Sequence, residues 1–156
     1  MSQLKVDSII PRGGLPSGAS GGIIQMKQAI KTDKFATSST SYTDITGLSV
    51  TITPQSSSNK ILVFSSLRIG AGGANRDNKY QIYRGSTAIS EENFCRFNGS
   101  AENYVFCDVL IDSPGTTSTL TYKVRAKVEN NELFVNRDGS NRDFGQCSIT
   151  VMEVGM

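Results

Sequence analysis

The strand-like segments of this chain divide into two kinds, and that division restricts the folds open to it. One kind alternates apolar and polar residues. Leu120, Tyr122, Val124, Ala126 and Val128 share one face of a strand, with Thr121, Lys123, Arg125 and Lys127 on the other. Leu48, Val50 and Ile52 alternate with Ser49, Thr51 and Thr53, and Tyr80 and Ile82 alternate with Lys79 and Gln81. Side chains on a strand repeat every two residues, so these segments bury one face and wet the other. The second kind is apolar on both faces: 23–30, 61–69, 104–111 and 147–154. A strand covered on both sides needs a second layer. No window has the 3.6-residue period of a helix that would supply one, so the expected cover is another copy of the chain. The pattern predicts an all-β chain, an antiparallel β-sandwich with one solvated sheet and one sheet committed to an oligomer.

Composition excludes several functions. A chain of 156 residues can bury a proper core as one domain. A formal charge of +2, from 16 basic and 14 acidic residues, is too small and dispersed for nucleic-acid binding. No apolar run approaches the roughly 20 residues of a membrane span, so membrane insertion is not expected. The first ten residues carry Lys5 and Asp7 without an apolar core region, so a secretory signal is not expected either. There are three cysteines at irregular spacing, Cys95, Cys107 and Cys147, which do not make a disulfide framework. Cys107 and Cys147 sit within apolar strand patterns and read as small buried hydrophobes in a chain folded in a reducing cytoplasm. The chain has no histidine. That removes the commonest general base and zinc ligand. Glu91 and Glu92 are adjacent and would point opposite ways in a strand. No enzyme, cofactor or metal is expected.

Residues 11–22 hold five glycines and two prolines, a composition that cannot bury enough surface to fold alone. The expected organisation is an extended Gly-rich arm at 1–22 and a sandwich at 23–156. Gly47 is read as the start of a strand ended by Pro54, and Ser113-Pro114-Gly115-Thr116 as a strong turn. Residues 86–102 are the least legible, with Phe94, Cys95 and Phe97 able to form either a short strand or a packed loop. Asn-Arg-Asp occurs three times, at 75–77, 136–138 and 141–143, each in a loop. Asn and Asp satisfy their own backbone in turns, which explains the motif without a ligand. The sharper reading makes Asn75, Arg76, Asp77, Arg137, Asp138, Arg142 and Asp143 a partner-binding or glycan-binding rim. Asp138, Ser140, Asn141 and Asp143 supply oxygens, but their spacing is not that of a calcium-binding EF-hand. Among the tyrosines, Tyr42 and Tyr83 are the surface candidates for stacking on sugars.

The opening Leu4-Lys5-Val6-Asp7-Ser8-Ile9-Ile10-Pro11, with Gly22-Ile23-Ile24-Gln25 after the Gly-rich run, resembles the N-termini of small virion and tail-fibre proteins of tailed, notably marine, bacteriophages. The stretch Ser39-Thr40-Ser41-Tyr42-Thr43-Asp44-Ile45-Thr46-Gly47-Leu48 is similar to phage fibre-tip domains. So are Ile52-Thr53-Pro54, Asn59-Lys60-Ile61-Leu62-Val63 and Ser148-Ile149-Thr150-Val151-Met152-Glu153. The likeness spans nearly the whole chain except 70–102. It implies a jelly roll of the tumour-necrosis-factor type, a homotrimer, and a virion location after assembly in the host cytoplasm. It also implies a fibre-like or decoration role, with other virion structural proteins as partners and a host surface glycan as a further one. Leu4, Val6, Ile9 and Ile10 would dock the arm on the particle. The alternative is a standalone carbohydrate-binding module, which would need neither the arm nor the two-faced strands.

Parity then divides the two-faced strands. At 60–69, Ile61, Val63, Leu67 and Ile69 oppose Leu62, Phe64, Ser66 and Arg68. At 103–111, Val105, Cys107, Val109 and Ile111 oppose Tyr104, Phe106, Asp108 and Leu110. Placing the β-branched sets in the core makes Leu62, Phe64, Arg68, Tyr104, Phe106 and Asp108 the trimer interface. If the two strands are neighbours, as the resemblance implies, Arg68 and Asp108 could form an ion pair there.

Overall fold

The two kinds of segment become two sheets. The computed structural model describes residues 22–73, 76–99 and 102–156, except the side chain of Arg76. The strands are β1 (Ile23–Lys31), β2 (Phe35–Thr37), β3 (Thr43–Ile52), β4 (Lys60–Ala71), β5 (Arg76–Arg84), β6 (Thr87–Ala88), β7 (Asn93–Phe97), β8 (Asn103–Asp112), β9 (Leu120–Val128), β10 (Leu133–Val135) and β11 (Cys147–Val154). No helix occurs among the described residues.

The first sheet runs β1–β11–β4–β8. β11 pairs residues 60–66 of β4 and the short β10 pairs 69–71, while β8 pairs 61–70. A strand has two edges, so β8 lies on the far edge of β4 from both. β2 pairs β10 and extends the β1 side of the sheet. The second sheet runs β3–β9–β5, with β7 and β6 in line along the remaining edge of β5. All pairings are antiparallel, and the chain crosses repeatedly between the sheets, giving a jelly-roll sandwich. The four segments apolar on both faces are β1, β4, β8 and β11, and all lie in the first sheet. The three alternating ones are β3, β5 and β9, and all lie in the second.

The core fills the space between them. Leu48, Ile52, Ile82, Tyr122 and Val124 face Ile61, Val63, Leu67, Ile149 and Val151. Each fully buried aliphatic side chain contributes about 1.5–3 kcal/mol relative to exposure. Polar groups close the ends of the sandwich. Tyr122 donates its hydroxyl to Asp112 at 2.7 Å, and Arg84 reaches the same carboxylate at 2.6 Å, joining β9 and β5 to β8. Glu153 is fully buried on β11. It accepts from Asn59 Nδ2 at 2.6 Å, Gln55 N at 2.7 Å and Gln25 Nε2 at 2.7 Å. Burial pushes its carboxyl up, but these hydrogen bonds outweigh burial and hold it below the ordinary glutamate value.

Two expectations change, and the least legible stretch resolves into strands. Gly47 does not begin a strand; β3 runs through it, with a register irregularity between Asp44 and Ser49 and Gly47 at φ 89°. The stretch 86–102 contains β6 and β7, with Cys95 and Phe97 inside and Phe94 outside. Cys107 is exposed rather than buried, while Cys95 and Cys147 are buried; all three are free thiols. Leu4, Val6, Ile9, Ile10 and the rest of the arm before Gly22 lie outside the described residues, as does Asn75.

Candidate interaction surface

The outward faces of the two sheets differ in chemistry. On the second sheet, charges neutralise one another. Glu92 accepts from the Tyr42 hydroxyl at 2.7 Å and pairs with Lys127 at 2.9 Å and Lys79 at 3.1 Å. These contacts hold its carboxyl down at about 2. Burial, then the Glu92 carboxylate, pushes the Tyr42 phenol up. Asp44 pairs with Lys123 at 2.8 Å and Arg125 at 3.0 Å. The two tyrosines expected to stack on sugars are already covered. Arg125 lies 4.8 Å from the Tyr83 ring centre and Lys127 lies 4.5 Å from that of Tyr42. Tyr83 is also buried.

The outward face of the first sheet is apolar. Its register stacks Met26, Met152, Leu62 and Ile111 in one row across β1, β11, β4 and β8. Gln28, Thr150, Phe64 and Val109 make the next row, then Ile30, Ser148, Ser66 and Cys107. Arg68 and Val105 follow across β4 and β8. Val109 and Ile111 keep 63% and 69% of their surface exposed, and Met26, Ile30 and Val105 are exposed as well. At one end the face dips into a cavity of about 340 Å³ lined by Ile23, Lys60, Leu62, Ile111, Val154 and Met156. A contiguous apolar surface of this kind marks an interaction site.

The parity expected for β4 agrees with this geometry, with Leu62, Phe64 and Arg68 turned outward. That expected for β8 is reversed. Val105, Cys107, Val109 and Ile111 face outward, while Phe106 and Leu110 pack on the core. Aromatic rings fill the wide inner space near this edge. The Phe106 ring meets Tyr80 edge-on at 5.9 Å, and Tyr104, partly exposed, stacks on Phe97 at 5.5 Å. Asp108 also turns inward, where it bonds the Tyr80 hydroxyl and accepts from Asn93 Nδ2 at 3.0 Å. Arg68 stands opposite Val105, so Arg68 and Asp108 lie on opposite faces of the sheet and do not pair within the chain.

Two of the Asn-Arg-Asp motifs, at 136–138 and 141–143, lie in a loop and are explained by turn chemistry; at the third, Arg76 and Asp77 begin strand β5 rather than a loop, with Asp77 opposite Arg96. Asn136 and Asn141 have φ of 59° and 61°, the left-handed region that Asn tolerates. The carboxylate of Asp138 is fully buried and accepts from Ser140 N at 2.9 Å, Arg142 N at 3.0 Å and Arg142 Nε at 2.7 Å. Asp138 is therefore engaged inside its own loop and is not available as a rim residue. Arg137 stacks on Phe134 at 3.7 Å, and Asp143 pairs with Lys34 at 2.8 Å. No group of metal-ligating side chains occurs among the described residues.

No family model matches this chain, and no curated protein does. Among solved structures it is similar to the T=1 particles derived from infectious bursal virus. The identity is 12% and the TM-score 0.45, over 86% of this chain and 37% of that one. It is also similar to the structure of the infectious bursal disease virus Gt strain, at 12% identity and TM-score 0.46, over 98% of this chain and 43% of that one. The chain thus spans about two fifths of the length of these neighbours.

Proposed function

We propose that this chain is a structural subunit of a virion, a homotrimer assembled through the outward face of the β1–β11–β4–β8 sheet. The observation that carries the reading is the contrast between the two outward faces. One has its charges internally paired. The other exposes Met26, Ile30, Val105, Val109 and Ile111 in register. Left in water, that face would favour association, because burying apolar area contributes roughly 25 cal/mol per Å². The interface comprises Leu62, Phe64, Val105, Cys107, Val109 and Ile111, with Arg68 at its end. Tyr104, Phe106 and Asp108 do not lie on this face.

The virion role rests on the resemblance of the N-terminal and strand motifs to phage fibre and virion proteins. In this reading residues 1–22 are a docking arm, with Leu4, Val6, Ile9 and Ile10 holding the subunit to other particle proteins. The jelly roll then projects as a fibre-like or decoration head. Light scattering of the full chain at micromolar concentration tests the assembly, with an expected mass of three times 16.8 kDa. Antibody labelling of particles under the electron microscope tests the location. A folded monomer would refute the first part, and unlabelled particles the second.

A further inference from the structure

The charges on the apolar face bear on how copies meet. Among the described residues, the paired strands put two charges on it, Lys60 and Arg68, both positive. Lys60 donates to Ser113 Oγ at 2.7 Å. Arg68 makes no ion pair among the described residues, and its guanidinium lies against Gly145. If two copies met face to face, the same patch would be used twice. Arg68 would then be desolvated with no carboxylate on either side, which is strongly unfavourable.

A complementary surface lies beside the face. A cleft of about 440 Å³ opens between the β6–β7 connection and the free edge of β8. Ile89, Ser90, Glu91, Asn93, Asp108 and Val109 line it, and no basic residue does. Glu91 is exposed and makes no ion pair among the described residues. Val109 belongs to both cleft and face, so the two surfaces adjoin.

We propose that copies of this chain associate head to tail: the outward sheet face of one seats on the acidic cleft of the next, and its Arg68 pairs with the carboxylates of Glu91 and Asp108 there. This rests on the trimer reading above and adds its geometry. Contacts between two different patches generate rings when the rotation closes, which accommodates a threefold assembly. The ion pair absent within the chain forms between chains.

The test is a charge exchange on the full chain, read by light scattering against concentration. Arg68→Glu and Glu91→Arg should each raise the dissociation constant of the trimer at least tenfold. Glu91→Gln should act in the same direction more weakly. The double variant carrying both exchanges should return to within threefold of wild type. Circular dichroism and thermal melts establish that each variant is folded, and Glu91 is exposed enough to change without harm to the core. Three results overturn the proposal: a Glu91→Arg protein that assembles like wild type, a double variant no better than the weaker single, or a wild-type dimer. A monomeric wild type refutes the trimer reading itself. A wild-type trimer indifferent to Glu91 refutes only the head-to-tail pairing.

Discussion

Glu153 is a buried carboxylate held by neutral donors, and its replacement has a calculable cost. Oε1 takes the Gln55 backbone N–H and the Asn59 amide; Oε2 takes the Gln25 amide. Glu153→Ala leaves these donors without their acceptor, and Asn59 is itself buried. An unsatisfied buried donor costs about 1–3 kcal/mol, so the total comes to roughly 3–5 kcal/mol after water reaches the more exposed groups. Glu153→Gln is nearly isosteric but turns one oxygen into an NH₂ facing the Gln25 NH₂. Gln25 cannot simply flip its amide, because the same nitrogen also donates to Thr53 O at 2.7 Å. The expected loss for Gln is about 1–2 kcal/mol. Each kcal/mol should lower the melting temperature by roughly 2–4 °C in a chain of this size.

The pH dependence gives an independent check. The folded carboxyl sits below the ordinary value of 4.5, so its stabilisation is present above that pH and is lost as pH falls through the folded value. The gap between wild type and Glu153→Gln should therefore be full at pH 7 and shrink in acid. Chemical denaturation at pH 7 and at pH 3 measures it. Equal stabilities at pH 7, or a gap unchanged in acid, would refute the hydrogen-bonded, ionised Glu153 described above.

Other outcomes follow from the same structure. Gly70→Ala should destabilise the fold by roughly 1–3 kcal/mol in a denaturant titration, because its Cβ would lie 2.6 Å from Arg137 O and 3.1 Å from Glu102 O, both backbone atoms. Val109→Asp should leave the fold intact by circular dichroism and abolish the trimer in light scattering, since a charge buried without a partner costs several kcal/mol. Deleting residues 1–20 should leave the melting temperature within a few degrees and abolish incorporation into particles, which occupancy measurements on purified particles would check.

The sequence announced its sheets more clearly than its faces. Strands facing solvent on one side carry an alternation that is hard to miss, as with Lys123 and Arg125 between Tyr122, Val124 and Ala126. Strands with two apolar faces also declare themselves, and both groups sort into the correct sheets. Which apolar face points inward is a different question, and periodicity is silent on it when both parities are hydrophobic. In β4 the aliphatic residues Ile61, Val63 and Leu67 are inside. In β8 the rings turn toward the second sheet, because Phe106 and Tyr104 have Tyr80 and Phe97 as partners there, with Tyr104 still exposed at the sheet end. Phe97 precedes Tyr104 by only seven positions, but Tyr80 lies 26 positions before Phe106 and on another strand. Asp108 reads as a partner for Arg68 on one sheet face only until the Tyr80 hydroxyl and Asn93 amide are known to meet it on the other. The acidic cleft is invisible for the same reason: Glu91 and Asp108 are 17 positions apart in the sequence and adjoin only when β8 takes its edge position.

Cys107 is a built-in probe of whether the apolar sheet is covered. It lies mid-face opposite Ser66, exposed in the single chain, while Cys95 and Cys147 are buried within it. The measurement is the count of thiols that react quickly with a chromogenic disulfide reagent in the native protein at micromolar concentration. A subunit assembled through this sheet should show no fast thiol until dilution dissociates it, when one per chain appears, and three only on unfolding. One fast thiol per chain in the undiluted native protein would contradict the interface.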